Sequence, residues 1–389
     1  MRKQIGLAIL LVLSAGAWQA SQARETPAEA TIEEPSRTPL ERGVAAWQRG
    51  DYATALALFR RLAEAGDPKA QFYLAEMYDE GQGTEKDAAA AARWIGRAAD
   101  RGLAGAQNSL GMRHEKGLGV ARDLAAAARW YRIAAEQGDA RAQSNLGRMY
   151  KTGIGVAQND RAAAGWYRKA AAQGFAPAQV ILGYLYSTGR GVERNHDQAV
   201  RLYRRAAVQG NYRGQWLLGV MLRVGLGAPR DPAAAARWFR AAADKGFAEA
   251  QFSLAELYRD GEGVPADEAR AAQLFRQAAE QGHAEAQMRL AAIYYEGVGV
   301  APDLAKALRW YRAAAAQGEA GAQYILGLVY ALGDGVEPDP VTGLAWMILA
   351  AGNGYEAARE RVPALQAKMT AIQRIDAQKL AVTLDQSAR

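Results

Sequence analysis

The stretch that decides the fold is residues 139–174, DARAQSNLGRMYKTGIGVAQNDRAAAGWYRKAAAQG, because its pattern recurs along the chain every 36 residues. A glutamine, a leucine three positions later, a Gly-x-Gly pair and an Ala-Ala pair keep one register through eight units without insertion or deletion. The glutamines that mark this register are Gln71, Gln107, Gln143, Gln179, Gln215, Gln251, Gln287 and Gln323. A fixed period of this length predicts stacked repeats, each burying its apolar face against its neighbours.

Each unit is predicted to contain two helices. In residues 139–174, Leu146 and Met149 have helical spacing, and Trp166 and Ala170 share one face of a second helix. Tryptophans of the second helices are expected to fill the space between neighbouring helix pairs; examples are Trp130, Trp166, Trp238, Trp310 and Trp346. Leu202 and Leu274 occupy the same register, which favours a packing role for the tryptophans over stacking on a ligand.

The pair Gly153 and Gly155 resembles the start of a phosphate-binding loop. A dinucleotide-binding loop follows a strand and has a third glycine, whereas here a helix is predicted before Gly153 and Gln158 holds the third position. The pair is therefore interpreted as a helix stop, since glycine adopts positive φ without penalty. The second helices are predicted to begin on the side-chain caps Asp87, Asp123, Asn159, Asn195, Asp231, Asp267, Asp303 and Asp339.

The N-terminus has the pattern of a secretory signal peptide over residues 1–23. Arg2 and Lys3 precede a short apolar run, and small residues provide cleavage sites after Ala17 or Ala23. The run is shorter than the roughly 20 residues of a membrane-spanning helix, so no integral membrane span is expected after cleavage. The chain contains no cysteine for lipid attachment or a disulfide. We expect a soluble periplasmic or secreted protein.

The remaining sequence divides into four parts. Residues 24–39, rich in Glu, Pro and Thr, are expected to be a disordered linker, and residues 40–66 an opening cap of two helices. Residues 67–354 hold the eight repeats. Residues 355–389 are helical without the repeat signature and form the expected closing cap, in which Thr370 and Gln373 suit a capping box.

Composition and charge favour an all-α protein that does not bind nucleic acid. Hydrophobic residues make up 50% of the chain, but much of that share is alanine and only 7 residues are phenylalanine. Loss of Arg2 and Lys3 with the signal peptide would lower the formal net charge from +7 to +5. The remaining charges of both signs are scattered, unlike the basic patch of a nucleic-acid-binding surface.

The pattern in residues 140–174 resembles the Sel-one-like repeat (SLR) family, the 36-residue branch of the tetratricopeptide superfamily. The resemblance covers about three-quarters of the chain and implies a right-handed α-solenoid of stacked helix-turn-helix repeats. It also implies a scaffold or adaptor, often linked to the bacterial envelope, that binds partners on its concave face. Some relatives are cysteine-rich secreted proteins credited with binding or hydrolysing penicillin-like compounds, and the absence of cysteine departs from that branch.

By analogy with tetratricopeptide arrays, the first helix of each unit is expected to line the concave face. Unit one places the acids Glu76, Asp79 and Glu80 there, and unit six places Glu249, Glu256 and Asp260. Unit eight places Tyr324, Leu328 and Leu332, which are apolar. Aromatic and arginine side chains, common anchors of recognition, concentrate in units three to five. The candidate partner-binding residues are Arg141, Arg148, Lys151, Tyr184, Arg213, Trp216 and Arg223. The alternative is that these are ordinary solvated residues, with Trp216 partly packed into the stack.

The expected partner is a protein or peptide, or an envelope glycan. The sequence predicts no catalytic residue, cofactor or metal site, because His114, His196 and His283 fall at different register positions and no nucleophile motif occurs. We therefore expect a scaffold and not an enzyme. The alternatives are a hydrolase acting on a cell-wall or penicillin-like substrate, suggested by relatives alone, and a secreted host-interaction factor.

Overall fold

The computed structural model describes residues 38–388, and this part of the chain consists of twenty α-helices without a strand. The predicted signal peptide and nearly all of the predicted linker lie outside the described residues. Two helices precede the repeats: α1 (Pro39–Gln48) and α2 (Tyr52–Glu64). Two follow them: α19 (Glu356–Gln366) and α20 (Ala371–Ala388).

Each of the eight units contributes two helices. The first helices are α3 (Pro68–Glu80), α5 (Ala104–Lys116), α7 (Ala140–Thr152), α9 (Ala176–Thr188), α11 (Tyr212–Val224), α13 (Ala248–Asp260), α15 (Ala284–Glu296) and α17 (Ala320–Leu332). The second helices are α4 (Ala88–Asp100), α6 (Leu124–Glu136), α8 (Asp160–Ala172), α10 (His196–Val208), α12 (Pro232–Ala243), α14 (Glu268–Glu280), α16 (Leu304–Ala316) and α18 (Pro340–Gly352). Units are numbered 1 to 8 in this order. The predicted all-α solenoid is confirmed.

The loop between the two helices of a unit stops one helix and starts the next, as predicted. In unit 3, Gly153 ends α7 with a φ of 72°, in the left-handed region. The side chain of Asn159 then caps α8 by accepting a hydrogen bond of 2.9 Å from the backbone N–H of Ala162. All eight predicted Asp and Asn caps accept the equivalent hydrogen bond.

The second glycine of each pair has a different role, which connects successive units. Gly155 also has positive φ, and a Cβ placed on it would lie 2.2 Å from the carbonyl oxygen of Leu124, at the start of α6 in the preceding unit. The loop backbone therefore approaches the preceding unit more closely than any side chain permits. This contact, together with helix termination, explains why the Gly-x-Gly pair recurs.

In units 2 to 7 the buried aromatic ring is not a tryptophan but the residue in the next register position, whereas unit 8 buries Trp346 itself. The Tyr167 ring is completely buried, and a Cβ on Gly147 would lie 3.2 Å from it, so the small residue makes room for this ring. Trp166 is only half-buried and packs against the hydrophobic cluster around Tyr131 in the preceding unit. Trp166 thus lies at the joint between units 2 and 3, with one side left open to solvent.

A ladder of buried amides joins the units and explains the register glutamines. The amide nitrogen of Gln143 donates to the backbone carbonyl of Ala135 in the preceding unit at 3.0 Å. Its carbonyl oxygen accepts a hydrogen bond of 2.9 Å from the amide nitrogen of Gln173 at the end of the same unit. Buried amides are costly unless both ends are bonded, so this ladder fixes the spacing of the stack.

Both ends of the array are closed by capped helices. Thr38 and Glu41 form a reciprocal capping box at the start of α1, so the folded part begins two residues before the expected Leu40. At the other end, Thr370 and Gln373 exchange backbone-to-side-chain hydrogen bonds of 2.9 and 3.2 Å, which confirms the predicted capping box.

Candidate partner-binding surface

The first helices of successive units contact one another directly and form one continuous surface, which we call the first-helix face. The side chain of Asn145 donates to that of Asn108 in the preceding unit at 3.0 Å. The indole N–H of Trp216 likewise donates to the hydroxyl of Ser253 in the following unit at 3.0 Å. All seven predicted partner-binding residues lie on three of these helices, α7, α9 and α11.

Arg148 is held by a neighbouring unit. Its guanidinium lies 2.6 Å from the carboxylate of Glu115, which also accepts a hydrogen bond of 2.8 Å from the hydroxyl of Tyr131. Burial acts to raise the pKa of Glu115, but the hydrogen bonds from Arg148 and Tyr131 outweigh it and hold that pKa below its usual value. Arg148 therefore connects unit 3 to unit 2 through an ion pair.

Arg223 makes the same kind of contact in the opposite direction. Its guanidinium lies 2.9 Å from Glu262 and 3.2 Å from Glu256, both in unit 6. Glu256 has the register of Arg148, and Arg223 has the register of Glu115, so the two pairs use one geometry with the charges exchanged. Arg223 is thus engaged within the chain.

Trp216 is also engaged in the stack, as the alternative interpretation expected. It is half-buried, and its ring meets that of Phe247 edge-on, with centroids 5.8 Å apart. Together with the hydrogen bond to Ser253, this contact ties unit 5 to the unit that follows it.

The other four predicted residues present side chains to solvent. Tyr184 is 46% exposed, and Arg141 and Arg213 are exposed on α7 and α11. Lys151 is half-buried, and the guanidinium of Arg213 lies 5.8 Å from the ring centre of Tyr212. The structure therefore divides the seven residues into three that connect units and four that are available to a partner.

Sequence reasoning missed Val224, which is 58% exposed at the end of α11 and is one of the most exposed apolar side chains of the first helices. Its signal was an apolar residue in a register that holds polar residues, such as Thr152 and Thr188, in every other unit except unit 8, which has Leu332. Val224 and Tyr184 lie on neighbouring first helices. Both side chains add exposed apolar surface to the first-helix face.

A buried arginine, which the sequence analysis did not predict, lies beside the acids of unit 1. Arg113 is 4% exposed, holds the register of the core residue Met149, and pairs with Asp79. Burial raises the pKa of Asp79 despite this pairing, and burial together with the charge of Asp79 raises that of Glu76. In unit 6, Glu256 and Asp260 belong to the Arg223 cluster, while Tyr324 of unit 8 packs on Tyr355 of the closing cap.

The histidines are not brought together. His283 caps α15 by accepting the N–H of Ala286 at 3.3 Å, and its ring stacks on Phe252. Within residues 38–388, no three His, Asp or Glu side chains are grouped so that they could hold a metal ion. The helices of the same region also include none with the length and apolar character that a membrane span requires.

Comparison with known proteins identifies the repeat. The Sel1 repeat matches residues 41–67, 68–103, 104–139, 140–175, 176–211, 213–247, 248–283, 284–319 and 320–355. The first match is the helix pair α1 and α2, so the expected opening cap is a shortened member of the same repeat. No match was found among curated proteins.

Two solved structures are similar over most of the chain. One is a protective antigen present in uropathogenic Escherichia coli strains that displays an SLR fold, with 33% identity, a TM-score of 0.56, and coverage of 90% of this chain and 84% of that one. The other is a Sel1 repeat protein from Oxalobacter formigenes, with 31% identity, a TM-score of 0.59, and coverage of 79% and 98%. The chain belongs to the Sel1 repeat family.

Proposed function

We propose that this Sel1 repeat protein is an exported scaffold that binds a segment of a partner protein across units 3 to 5 of the first-helix face. Sel1 repeat proteins generally act as protein–protein interaction scaffolds. We place the binding site there because Tyr184 has an exposed aromatic ring. This ring lies between two clusters of charges that are paired within the chain. Exposed tyrosines that have rigid support are common anchors of interfaces.

The surroundings of Tyr184 favour a partner with apolar and acidic groups. Val224 extends the apolar surface on α11, while Arg141 and Lys151 supply positive charge at the two ends of α7. Those two residues are ten positions apart on one helix, which corresponds to about 15 Å along its axis. A peptide lying across the helices would meet the apolar groups on α9 and α11 and the two cations on α7.

Export is proposed from the signal-peptide pattern of residues 1–23. The similarity to a protein described as a protective antigen is in keeping with a location outside the cytoplasm. N-terminal sequencing of the protein from cell fractions tests this part. A mature chain beginning at Trp18 or Arg24 in the periplasm or medium is expected, and an uncleaved cytoplasmic chain would contradict it.

Site-specific photo-crosslinking in cells tests the binding surface. A benzophenone side chain in place of Tyr184 is expected to give one discrete protein adduct, because the ring lies at the centre of the proposed surface. The same side chain in place of Tyr295, an equally exposed tyrosine of unit 7, is the matched control. Adducts of equal yield at both positions, or none at Tyr184, would contradict the proposal.

A further inference from the structure

Two residues at the second helix of unit 4, α10, and at the helix that follows it depart from the repeat pattern. Leu202 stands where units 1, 2, 3, 5, 7 and 8 have tryptophan. Leu222, on the first helix of unit 5, stands where most units have a tyrosine such as Tyr186 or Tyr258. Each change removes a side chain that contacts a cation in other units. Leu202 removes an aromatic ring beside Arg205, and Leu222 removes a hydroxyl acceptor for Arg204.

The first change lies beside an open pocket on the surface. In unit 3, Trp166 packs against the preceding unit and Lys169 lies 4.1 Å from its ring centre. In unit 4, Leu202 instead lines an open cavity of about 620 Å³ between α10 and the turn at Gly174. Arg205 has the register of Lys169, but Leu202 offers it no aromatic ring to pack against.

The second change leaves Arg204 without a hydroxyl acceptor. In the equivalent register, Arg240 donates to the hydroxyl of Tyr258 at 2.6 Å, and Arg132 donates to that of Tyr150 at 2.8 Å. The residue that would accept from Arg204 is Leu222. Arg204 lines the same cavity as Leu202.

The cavity therefore combines apolar surface with three cations. Its lining includes Leu202, which is 8% exposed, and Val208, which is 73% exposed, together with Arg201, Arg204 and Arg205. Across residues 38–388 these three guanidinium groups make no ion pair and no side-chain hydrogen bond. Elsewhere an exposed arginine pairs where an acid is in reach, as Arg190 does with Asp160 at 2.7 Å. Unpaired cations around an apolar centre are complementary to a ligand of opposite charge.

We propose that this surface, which we call the α10 cavity, binds an acidic segment of a partner protein that carries a large apolar or aromatic side chain. The side chain enters beside Leu202, in the register that tryptophan fills in other units, and neighbouring carboxylates pair with Arg204 and Arg205. An apolar centre with a charged rim is the usual anatomy of a protein interface. Arginine recognises carboxylates through paired hydrogen bonds.

A protein segment fits this surface better than a nucleic acid. Non-specific binding of single strands relies on aromatic platforms for the bases, whereas the centre of the α10 cavity is aliphatic. The cavity lies on a second helix and shares no residue with the proposed first-helix site, so it does not depend on the proposed function.

Peptide binding to the purified chain tests the chemistry. The probe is a fluorescent peptide with a central tryptophan flanked by aspartate and glutamate, and its binding is followed by anisotropy. Two control peptides replace the acids by their amides or the tryptophan by alanine. We expect both controls to bind about tenfold more weakly or worse, which corresponds to about 1.4 kcal/mol. Equal binding of the three peptides, or no binding of the probe, would overturn the proposal.

Two sets of variants locate the binding. Leu202→Trp restores the common residue and fills the cavity, so it should fold normally and weaken binding about tenfold. Leu274→Trp makes the same change in the same register of unit 6 and should leave binding unchanged. The double variant Arg204→Gln and Arg205→Gln should weaken binding and flatten its salt dependence, whereas Arg237→Gln on α12 should not.

Three further results would count against the α10 cavity. These are unchanged binding in Leu202→Trp, equal loss in Leu274→Trp, and stronger binding of a single-stranded oligonucleotide or of anionic phospholipid vesicles than of the probe. The Tyr184→Ala variant should retain peptide binding, which separates this inference from the proposed function. Loss of probe binding in Tyr184→Ala would assign the peptide to the first-helix face instead.

Discussion

The ammonium group of Lys245 donates a hydrogen bond to the backbone carbonyl of Gly210. It does not reach the side-chain carbonyl oxygen of Gln215, which is buried without a hydrogen-bond donor. In unit 3 the same register holds Gln173, which donates both to Gly138 at 2.8 Å and to Gln143 at 2.9 Å. Unit 5 therefore keeps one of the two contacts that this position can make, and the amide ladder is interrupted there.

Replacing Lys245 by glutamine should repair the ladder. The Lys245→Gln side chain can reach both acceptors, as Gln173 does, so we expect the free energy of unfolding to rise by about 1 kcal/mol. Urea denaturation measures it, with Lys368→Gln on the exposed surface after α19 as the control. No gain over that control would show that Gln215 is satisfied in another way.

Two buried tyrosines should respond differently to loss of the hydroxyl. Tyr131 donates to Glu115, so Tyr131→Phe should lower the free energy of unfolding by about 2 kcal/mol, since a charged acceptor loses its donor. The hydroxyl of Tyr167 is buried without a partner. Tyr167→Phe should therefore be neutral or stabilising. Thermal unfolding of both variants gives the comparison, and equal losses would argue against the assigned hydrogen bond.

The close approach of the loops to the preceding unit predicts a difference between two glycines. Gly119 and Gly102 both have positive φ, but a Cβ on Gly119 would lie 1.9 Å from the carbonyl oxygen of Ala88, while a Cβ on Gly102 meets no atom within 4 Å. Gly102→Ala should cost about 1 to 2 kcal/mol, the strain of the left-handed conformation. Gly119→Ala should cost at least about 2 kcal/mol more, because two units must separate. Similar losses in denaturant titrations would exclude the steric explanation.

The acids of unit 1 predict a dependence of stability on pH. Burial raises the pKa of Glu76 above its usual value of 4.5, so the folded state favours the protonated form. Ionised Glu76 therefore weakens the fold at neutral pH, and Glu76→Gln should raise the melting temperature there. As pH falls through the raised pKa the difference should shrink, and below 4.5 it should vanish because both states hold the proton.

Melting temperatures of wild type and Glu76→Gln across this pH range provide the measurement. Glu360→Gln, at an exposed glutamate of α19, is the control. A constant difference at every pH would mean that the substitution acts through packing and not through ionisation.

The candidate site shows where sequence reasoning stopped. Register alone placed Arg148, Arg223 and Trp216 on the first helices, which is correct. It did not show that they contact Glu115, Glu262 and Ser253 of neighbouring units, 33 to 39 positions away in the chain. Those contacts depend on the offset between stacked helices, which a period of 36 residues does not specify.

The sequence by itself determined the helices, their caps, the period and the family. Each of these rests on local rules repeated in phase, such as glycine at a left-handed helix stop and an Asp or Asn side chain on the first free N–H groups. The tertiary structure alone decided which side chains remain free. It paired Arg148 and Arg223 within the array, left Tyr184 exposed, and placed Arg204 and Arg205 around the cavity at Leu202. The physical reason is that pairing requires atoms to meet across units, and this depends on the packing of the whole stack.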